Sequence, residues 1–192
     1  MCSRFELNVT SSEVGRRLEL DLPPDLWSPT DELRPTDDIP VIDAFGRVQF
    51  RRWGPPAPWD AKPMINARAE TLTEKPTFKP FKIQRFLVPA SAYFEWRKSG
   101  RSRLKNRIYL SDSPVTTFAA IGNDDAVIIL TTAPAPDIAH IHNRMPAVLA
   151  DREKRSHWLS APEPLAVRHL LPLQGLSADE EVPQNYQGDL FA

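Results

Sequence analysis

The chain opens Met1-Cys2-Ser3-Arg4-Phe5, and Cys2 is its sole cysteine. A cysteine directly after the initiator methionine is a special case, because removal of Met1 leaves it as the N-terminus. It then carries a thiol and an α-amine on adjacent carbons, with ordinary pKa values of about 8.5 and about 8. Such a 1,2-aminothiol can attack an aldehyde through nitrogen to form a Schiff base, then close through sulfur onto the same carbon as a thiazolidine. The amine can instead act as base for the thiol, as in N-terminal-nucleophile hydrolases. Position alone does not separate either chemistry from an incidental, buried cysteine.

Three further blocks carry reactive or binding groups. In Asn66-Ala67-Arg68-Ala69-Glu70-Thr71, Asn66 can both donate and accept hydrogen bonds at a reacting centre and Arg68 can bind phosphate. A capped helix start or surface turn explains the same residues equally well. In Tyr93-Phe94-Glu95-Trp96, strand alternation puts Tyr93, Glu95 and Arg97 on one face and Phe94 and Trp96 on the other. If that face is a partly apolar cleft, burial raises the Glu95 pKa and suits it to acid/base work; if it is solvated, Glu95 is only the polar side of an amphipathic strand. His140-Ile141-His142-Asn143-Arg144-Met145-Pro146 offers two histidines, but no paired cysteine or carboxylate cluster completes a metal site. A single proton-transferring histidine, His142, beside an anion-binding Arg144 is the more economical reading, with His140 structural.

These residues need elements to position them. Strands are expected at Val41–Ile42 and Arg47–Trp53 around the turn Asp43-Ala44-Phe45-Gly46, and at Arg85–Pro89, Ala92–Arg97, Arg107–Ser111, Thr116–Ile121 and Ala126–Thr132. Val127-Ile128-Ile129-Leu130 is apolar at every position, so it reads as a central strand buried on both faces. A short amphipathic helix fits Ser11–Leu20, capped by Ser11 or Ser12, and another fits Asp151–Leu159; Pro164–Leu171 is a short helix or a strand. Trp53-Gly54-Pro55-Pro56-Ala57-Pro58-Trp59 is a stiff loop bracketed by tryptophans. The acidic stretch Ser177–Ala192 should be loosely held.

Composition sets the outer limits. The chain has 192 residues, 41% hydrophobic and 26% charged, which fits one domain with a sizeable core and excludes wholesale disorder. Twenty prolines argue against long helices and for short strands joined by fixed loops. One cysteine allows no internal disulfide, no apolar run approaches a membrane span, and the N-terminus lacks a signal peptide's apolar stretch, so a soluble, cytoplasmic protein is expected. The expected fold is a single α+β domain over 1–192, with a curved or barrel-like, mainly antiparallel sheet, short helices, long Pro-rich loops and a loose tail from about 177. The formal net charge of −1 hides an asymmetry: Asn66–Arg107 holds eleven Lys/Arg and three acids, +8, leaving −9 elsewhere. Such a block is either a face for a polyanion or a set of solvated loops.

In order along the chain, Met1–Phe5, Pro35-Thr36 before Pro40-Val41, Trp53-Gly54 with Trp59, Asn66–Thr71, Leu87–Ala90 leading to Tyr93–Trp96, and His142–Pro146 resemble the SOS-response-associated peptidase (SRAP) family across essentially the whole length. The resemblance implies a sensor of abasic sites in single-stranded DNA that cross-links to the ring-opened sugar aldehyde through N-terminal Cys2, protecting the site during the DNA damage response. It also implies the peptidase activity of the family name, self-removal of Met1. By motif, Cys2 is the nucleophile, Asn66 orients it, Glu95 moves protons during ring opening and Schiff-base formation, and His142 assists near the sugar and 3′ phosphate. Arg4, Arg68 and Arg144 match phosphate-gripping positions, while Trp53, Trp59 and Pro35 stack on or wedge against bases. No cofactor and no metal are implied, and with one reacting centre and no apolar heptads a monomer is expected.

Three places depart from the commoner pattern: Ser3 replaces a glycine, Leu33-Arg34 stand where an asparagine often precedes Pro35-Thr36, and Ser91-Ala92-Tyr93-Phe94 replaces Asp-Gly-Phe-Tyr. None removes a proposed catalytic group. The competing readings are a cysteine N-terminal-nucleophile peptidase or amidohydrolase with Asn66 in an oxyanion hole, and a noncatalytic single-strand-binding module in which Cys2 is incidental.

Overall fold

The computed structural model describes residues 2–82 and 84–181. In chain order its strands are β1 (Phe5–Leu7), β2 (Thr30–Leu33), β3 (Asp38–Ile42), β4 (Val48–Trp53), β5 (Asn66–Arg68) and β6 (Gln84–Ala90). They continue with β7 (Ala92–Ser99), β8 (Ser102–Leu110), β9 (Thr116–Gly122), β10 (Ala126–Thr132), β11 (Met145–Pro146) and β12 (Leu176–Glu181). Three short α-helices, α1 (Ser11–Leu18), α2 (Arg152–Ser160) and α3 (Glu163–Arg168), and three 3₁₀ turns complete the described residues. None of these helices is long and apolar enough to cross a membrane.

Strands β4, β3, β6, β9 and β10 close a five-stranded barrel, antiparallel except where β10 meets β4 at Ala126–Arg52 and Val127–Trp53. Further along β10, β5 adds in parallel with Asn66 opposite Ile129, and β11 adds at Thr131 and Thr132. A second, fully antiparallel sheet runs β12-β8-β7-β1-β2. The expected α+β class with a barrel-like, mainly antiparallel sheet is the one adopted.

Period-two alternation explains how the central strands bury both faces. Phe86 and Val88, Phe118 and Ala120, and Val127 and Ile129 enter one apolar cluster, shared with Phe5, Tyr93 and Ile108 of the second sheet. Their neighbours Leu87, Ala119, Ile121, Ile128 and Leu130 enter another, covered by Val14 and Leu18 of α1 and Trp158 of α2. Trp158 is fully buried and donates its indole N–H to the Phe86 carbonyl at 3.0 Å.

Some local expectations are corrected. Helix α1 is capped by Thr10 rather than by Ser11 or Ser12: Thr10 accepts from the Glu13 amide, and the Glu13 carboxylate accepts the Thr10 amide at 2.8 Å. Asp151 does cap α2, and Pro164–Leu171 resolves as a helix, Glu163–Arg168. The tail read as loose from about 177 is, over Ser177–Glu181, a strand paired with Lys105–Tyr109 of β8. Residues 182–192 of that tail lie outside the described residues. The stiff loop begins at Gly54, whose φ is +89° and where a Cβ would stand 2.7 Å from the Ile65 side chain. Only glycine lets the chain turn there and pass Ile65 on its way to Asn66.

Candidate active site

Cys2 lies just ahead of β1, whose pairing with β7 sets Phe5 opposite Tyr93. The Phe94 amide donates to the Arg4 carbonyl at 3.0 Å, so the N-terminal segment is held alongside the strand that carries Glu95. From the barrel side, Asn66 donates its side-chain amide to the Cys2 carbonyl at 2.6 Å. The other Asn66 side-chain atom, Oδ1, is buried with no hydrogen-bond partner among the described residues. It is an acceptor placed beside the Cys2 backbone. His142 follows the 3₁₀ turn at Pro136–Ile138, and its Nδ1 stands 3.7 Å from Glu95 Oε1. Four separated segments therefore bring Cys2, Asn66, Glu95 and His142 together.

The electrostatics are those of a desolvated cluster. Glu95 is 3% exposed, and burial pushes its pKa up to about 7, with the positive chain terminus pulling the other way. Burial, followed by that same positive terminus, holds His142 below the usual histidine range. Its Nδ1 accepts from the Arg144 amide at 3.1 Å when bare, and reaches the Arg144 carbonyl at 3.2 Å when protonated. Cys2 is fully buried, and burial, reinforced by the Glu95 charge, pushes its thiol far above the ordinary range. The thiol is thus held protonated next to a carboxyl that can gain or lose a proton near neutrality, a pairing suited to acid/base work.

Glu95 and His142 also line an open cleft of about 430 Å³ together with Ser3, Arg97, Lys98, Arg103 and His140. His140 is exposed in that cleft and is not the structural histidine of the sequence reading. Lys98 and Arg103, which sequence reasoning did not single out, sit at its rim because β7 and β8 form a hairpin with Lys98 opposite Arg103. Their signal was the basic density of that stretch.

The predicted DNA-contact residues divide. Trp53 does not face solvent: it is fully buried, edge-on to Phe5 at 5.2 Å, with its indole N–H donated to the Ile65 carbonyl at 3.0 Å. It is a core residue because β4 ends with that side chain turned into the barrel. Trp59 is 65% exposed and Pro35 half-buried, both available for stacking. Arg68 is exposed. Arg4 is held by Glu32 at 3.2 Å and donates to the Ser3 carbonyl at 2.8 Å. Arg144 grips both Glu70 oxygens, at 2.7 and 2.8 Å, and the Thr131 carbonyl at 2.6 Å, so its fork is occupied by the protein itself. Among the described residues, no group of three or more His, Cys, Asp or Glu is placed to hold a metal ion.

Known proteins resemble this chain in sequence and in fold. A profile of the SOS response associated peptidase (SRAP) family matches residues 1–181. The chain is 35% identical over 181 residues to the abasic site processing protein YoqW of Bacillus subtilis, covering 83% of this chain and 80% of that one. It is 36% identical over 178 residues to the abasic site processing protein YedK of Escherichia coli, covering 83% and 79%. Among solved structures, a Bacteroides thetaiotaomicron protein superposes with a TM-score of 0.80 at 24% identity, over 93% of this chain and 91% of that one. A phage-related protein of Bordetella bronchiseptica gives 0.75 at 20% identity, over 94% of each. At those identities the structures speak to the fold alone.

Proposed function

The chain belongs to the SOS response associated peptidase (SRAP) family, and from that premise we propose that it processes abasic sites in DNA by capturing them covalently through Cys2. Hydrolysis of the Met1–Cys2 bond frees the α-amine. An abasic sugar is mostly a closed hemiacetal, so a proton must leave the 1-hydroxyl and reach the ring oxygen before an aldehyde exists. Glu95, ionising near pH 7, exchanges those protons. The amine then adds to the aldehyde and water leaves, giving an imine. The thiol adds across the carbon–nitrogen double bond, its proton passing to nitrogen by way of the Glu95–His142 pair, and the thiazolidine forms. The net change is loss of one water, with no oxidant or reductant.

The observation that carries this reading is the convergence of Asn66, Glu95 and His142 on the one residue that gains an aminothiol when Met1 is lost. Asn66, bonded to the Cys2 carbonyl with its Oδ1 spare, fixes the residue and offers an acceptor to the new amine. Exposed Trp59 and Arg68 offer a stacking ring and a cation to unpaired bases and their phosphates, which favours single-stranded DNA. A hydrolase using the Cys2 thiolate fits less well, because burial disfavours that anion.

The test is denaturing electrophoresis after mixing the Met1-free protein with a single-stranded oligonucleotide bearing one abasic site. An SDS-stable adduct is expected with that DNA and none with the undamaged sequence. No adduct, from protein whose intact mass confirms loss of Met1, would overturn the proposal.

A further inference from the structure

Trp53 offers no surface to a base, yet its indole does more than fill the core. Its N–H donates to the Ile65 carbonyl at 3.0 Å, and the Ile129 amide donates to the same oxygen at 3.1 Å. That carbonyl belongs to the planar peptide unit whose nitrogen is that of Asn66, so the two bonds fix the plane from which Asn66 departs. Asn66 in turn donates its side-chain amide to the Cys2 carbonyl at 2.6 Å. On its other side the Trp53 ring meets Phe5 edge-on, with centroids 5.2 Å apart, and Phe5 is paired opposite Tyr93 on the segment that Cys2 begins. The contacts close a circuit from Trp53 through Ile65 and Asn66 to Cys2, and back through Phe5. Trp53, Cys2 and Phe5 are all fully buried, so none can shift without displacing a neighbour.

Resting on the cross-linking reading above, we propose that Trp53 is a positioning residue: its indole sets Asn66 against Cys2 so that the spare Asn66 Oδ1 accepts from the α-amine freed by loss of Met1. One ring packs on the arm that carries Cys2 and bonds the arm that carries Asn66, and so fixes their separation. The indole keeps its proton throughout and touches no reacting atom. Packing alone asks for less, because phenylalanine would still present an aromatic edge to Phe5 and would leave the Ile65 carbonyl with the Ile129 amide. The Trp53 backbone has partners of its own. The Thr36 amide donates to its carbonyl and its amide donates to the Asp37 carbonyl, both at 2.8 Å. Those bonds hold the Pro35-Thr36 turn whatever the side chain at 53, which makes the two roles of this residue separable.

The test is Trp53→Phe in the Met1-free protein, with thermal melting to verify the fold. Side-chain amide NMR signals of protein labelled with nitrogen-15 asparagine, recorded without DNA, report the Asn66–Cys2 bond. Asn106, whose side-chain amide bonds the Leu104 carbonyl at 2.9 Å in the second sheet, is the internal control. The Asn66 signals should move toward those of free asparagine while those of Asn106 stay in place. With abasic single-stranded DNA, borohydride-trapped imine should form about tenfold more slowly. Affinity for that DNA, measured in a Cys2→Ala background, should not change. In an Asn66→Ala background Trp53→Phe should slow the imine no further, because a residue acting through Asn66 has nothing left to position. Unmoved Asn66 signals overturn the role, and so does equal slowing with and without the Asn66 side chain. A fall in affinity at an unchanged rate also overturns it and returns Trp53 to base stacking. If wild-type protein forms no adduct at all, the cross-linking reading fails instead; the Asn66 signals then still decide whether Trp53 sets the Asn66–Cys2 bond. If Trp53→Phe melts abnormally, benzothienylalanine at this position, which keeps the double ring and replaces the N–H by sulfur, should give the same signal shift.

Discussion

Around Cys2, ionisable groups from distant segments are buried together and displaced from their ordinary pKa values, Glu95 upward and His142 downward. Several cations of the basic stretch Asn66–Arg107 are arranged the opposite way, matched to carboxylates. Arg97 meets Glu180 at 2.6 Å, Lys105 meets Glu32 at 3.2 Å and Glu181 at 3.0 Å, and Arg107 takes Glu6 in a two-pronged grip at 2.8 and 2.7 Å. Glu180 and Glu181 arrive on β12, the acidic strand laid against β8. A charge surplus counted along the chain therefore overstates the field presented to a polyanion. What remains outward is a smaller set: Arg68, Lys75, Lys79 and Arg101 are exposed, as are Lys98 and Arg103 at the cleft rim. Chemistry resides where charges are left displaced, and adhesion where cations stay solvated.

The largest effect that would break this contrast is at Cys2. Cys2→Ala should abolish the stable adduct, and a tag placed before Cys2 should do the same because it acylates the amine; a heat-stable adduct of undiminished yield in either would remove Cys2 from the chemistry. Glu95→Gln should slow cross-linking roughly 10²–10⁴-fold while reaching the same end point, read from time courses on gels. The same substitution has a stability signature. A carboxyl whose folded pKa is raised from 4.5 to about 7 binds more protons folded than unfolded between those values. Its ionisation thus costs stability as pH rises through that window. The Tm of Glu95→Gln relative to wild type should accordingly increase between pH 5 and pH 8, and a flat difference would show that Glu95 is not desolvated as described.

Along the basic stretch the effects should be smaller and of another kind. Arg144→Ala takes one donor from the Thr131 carbonyl and the two-pronged partner from Glu70, so a loss of about 1–3 kcal/mol in chemical denaturation is expected. Its effect on the salt dependence of DNA binding should be slight. Arg68→Ala should do the reverse: stability unchanged, and the slope of log affinity against log salt reduced by roughly 0.7 on single-stranded DNA, measured by anisotropy in a Cys2→Ala background. Arg97→Ala, whose guanidinium already faces Glu180, should change that slope less than Arg68→Ala.

Much of the barrel was legible because its strands are long enough to show a pattern. β10 coincides with Ala126–Thr132, and β4, β6, β7 and β9 start or end within two residues of the expected positions. The strands that escaped detection had no pattern to show. β1 and β5 are three residues each, and β12 reads Leu-Ser-Ala-Asp-Glu-Glu, polar because β8 supplies Arg107 and Lys105 opposite its acids. Trp53 was read correctly as the end of the strand Arg47–Trp53 but assigned to base stacking by the family motif; that its ring turns into the barrel is decided by barrel closure, which the motif does not show. The site residues were readable as motifs, yet Arg144's commitment to Glu70 was not, since nothing in the order of residues says that 3₁₀ turn and loop will meet.

The central claim, that the buried N-terminal cluster rather than the basic stretch supplies the reaction, is tested most directly by the mass and map of the adduct. Met1-free protein cross-linked to an abasic oligonucleotide should have the summed mass of both less one water. After digestion, the DNA remnant should sit on the peptide beginning at Cys2 and resist borohydride, as a closed thiazolidine must. A remnant on a lysine of the basic stretch, or an adduct formed with Met1 still attached, would contradict the account.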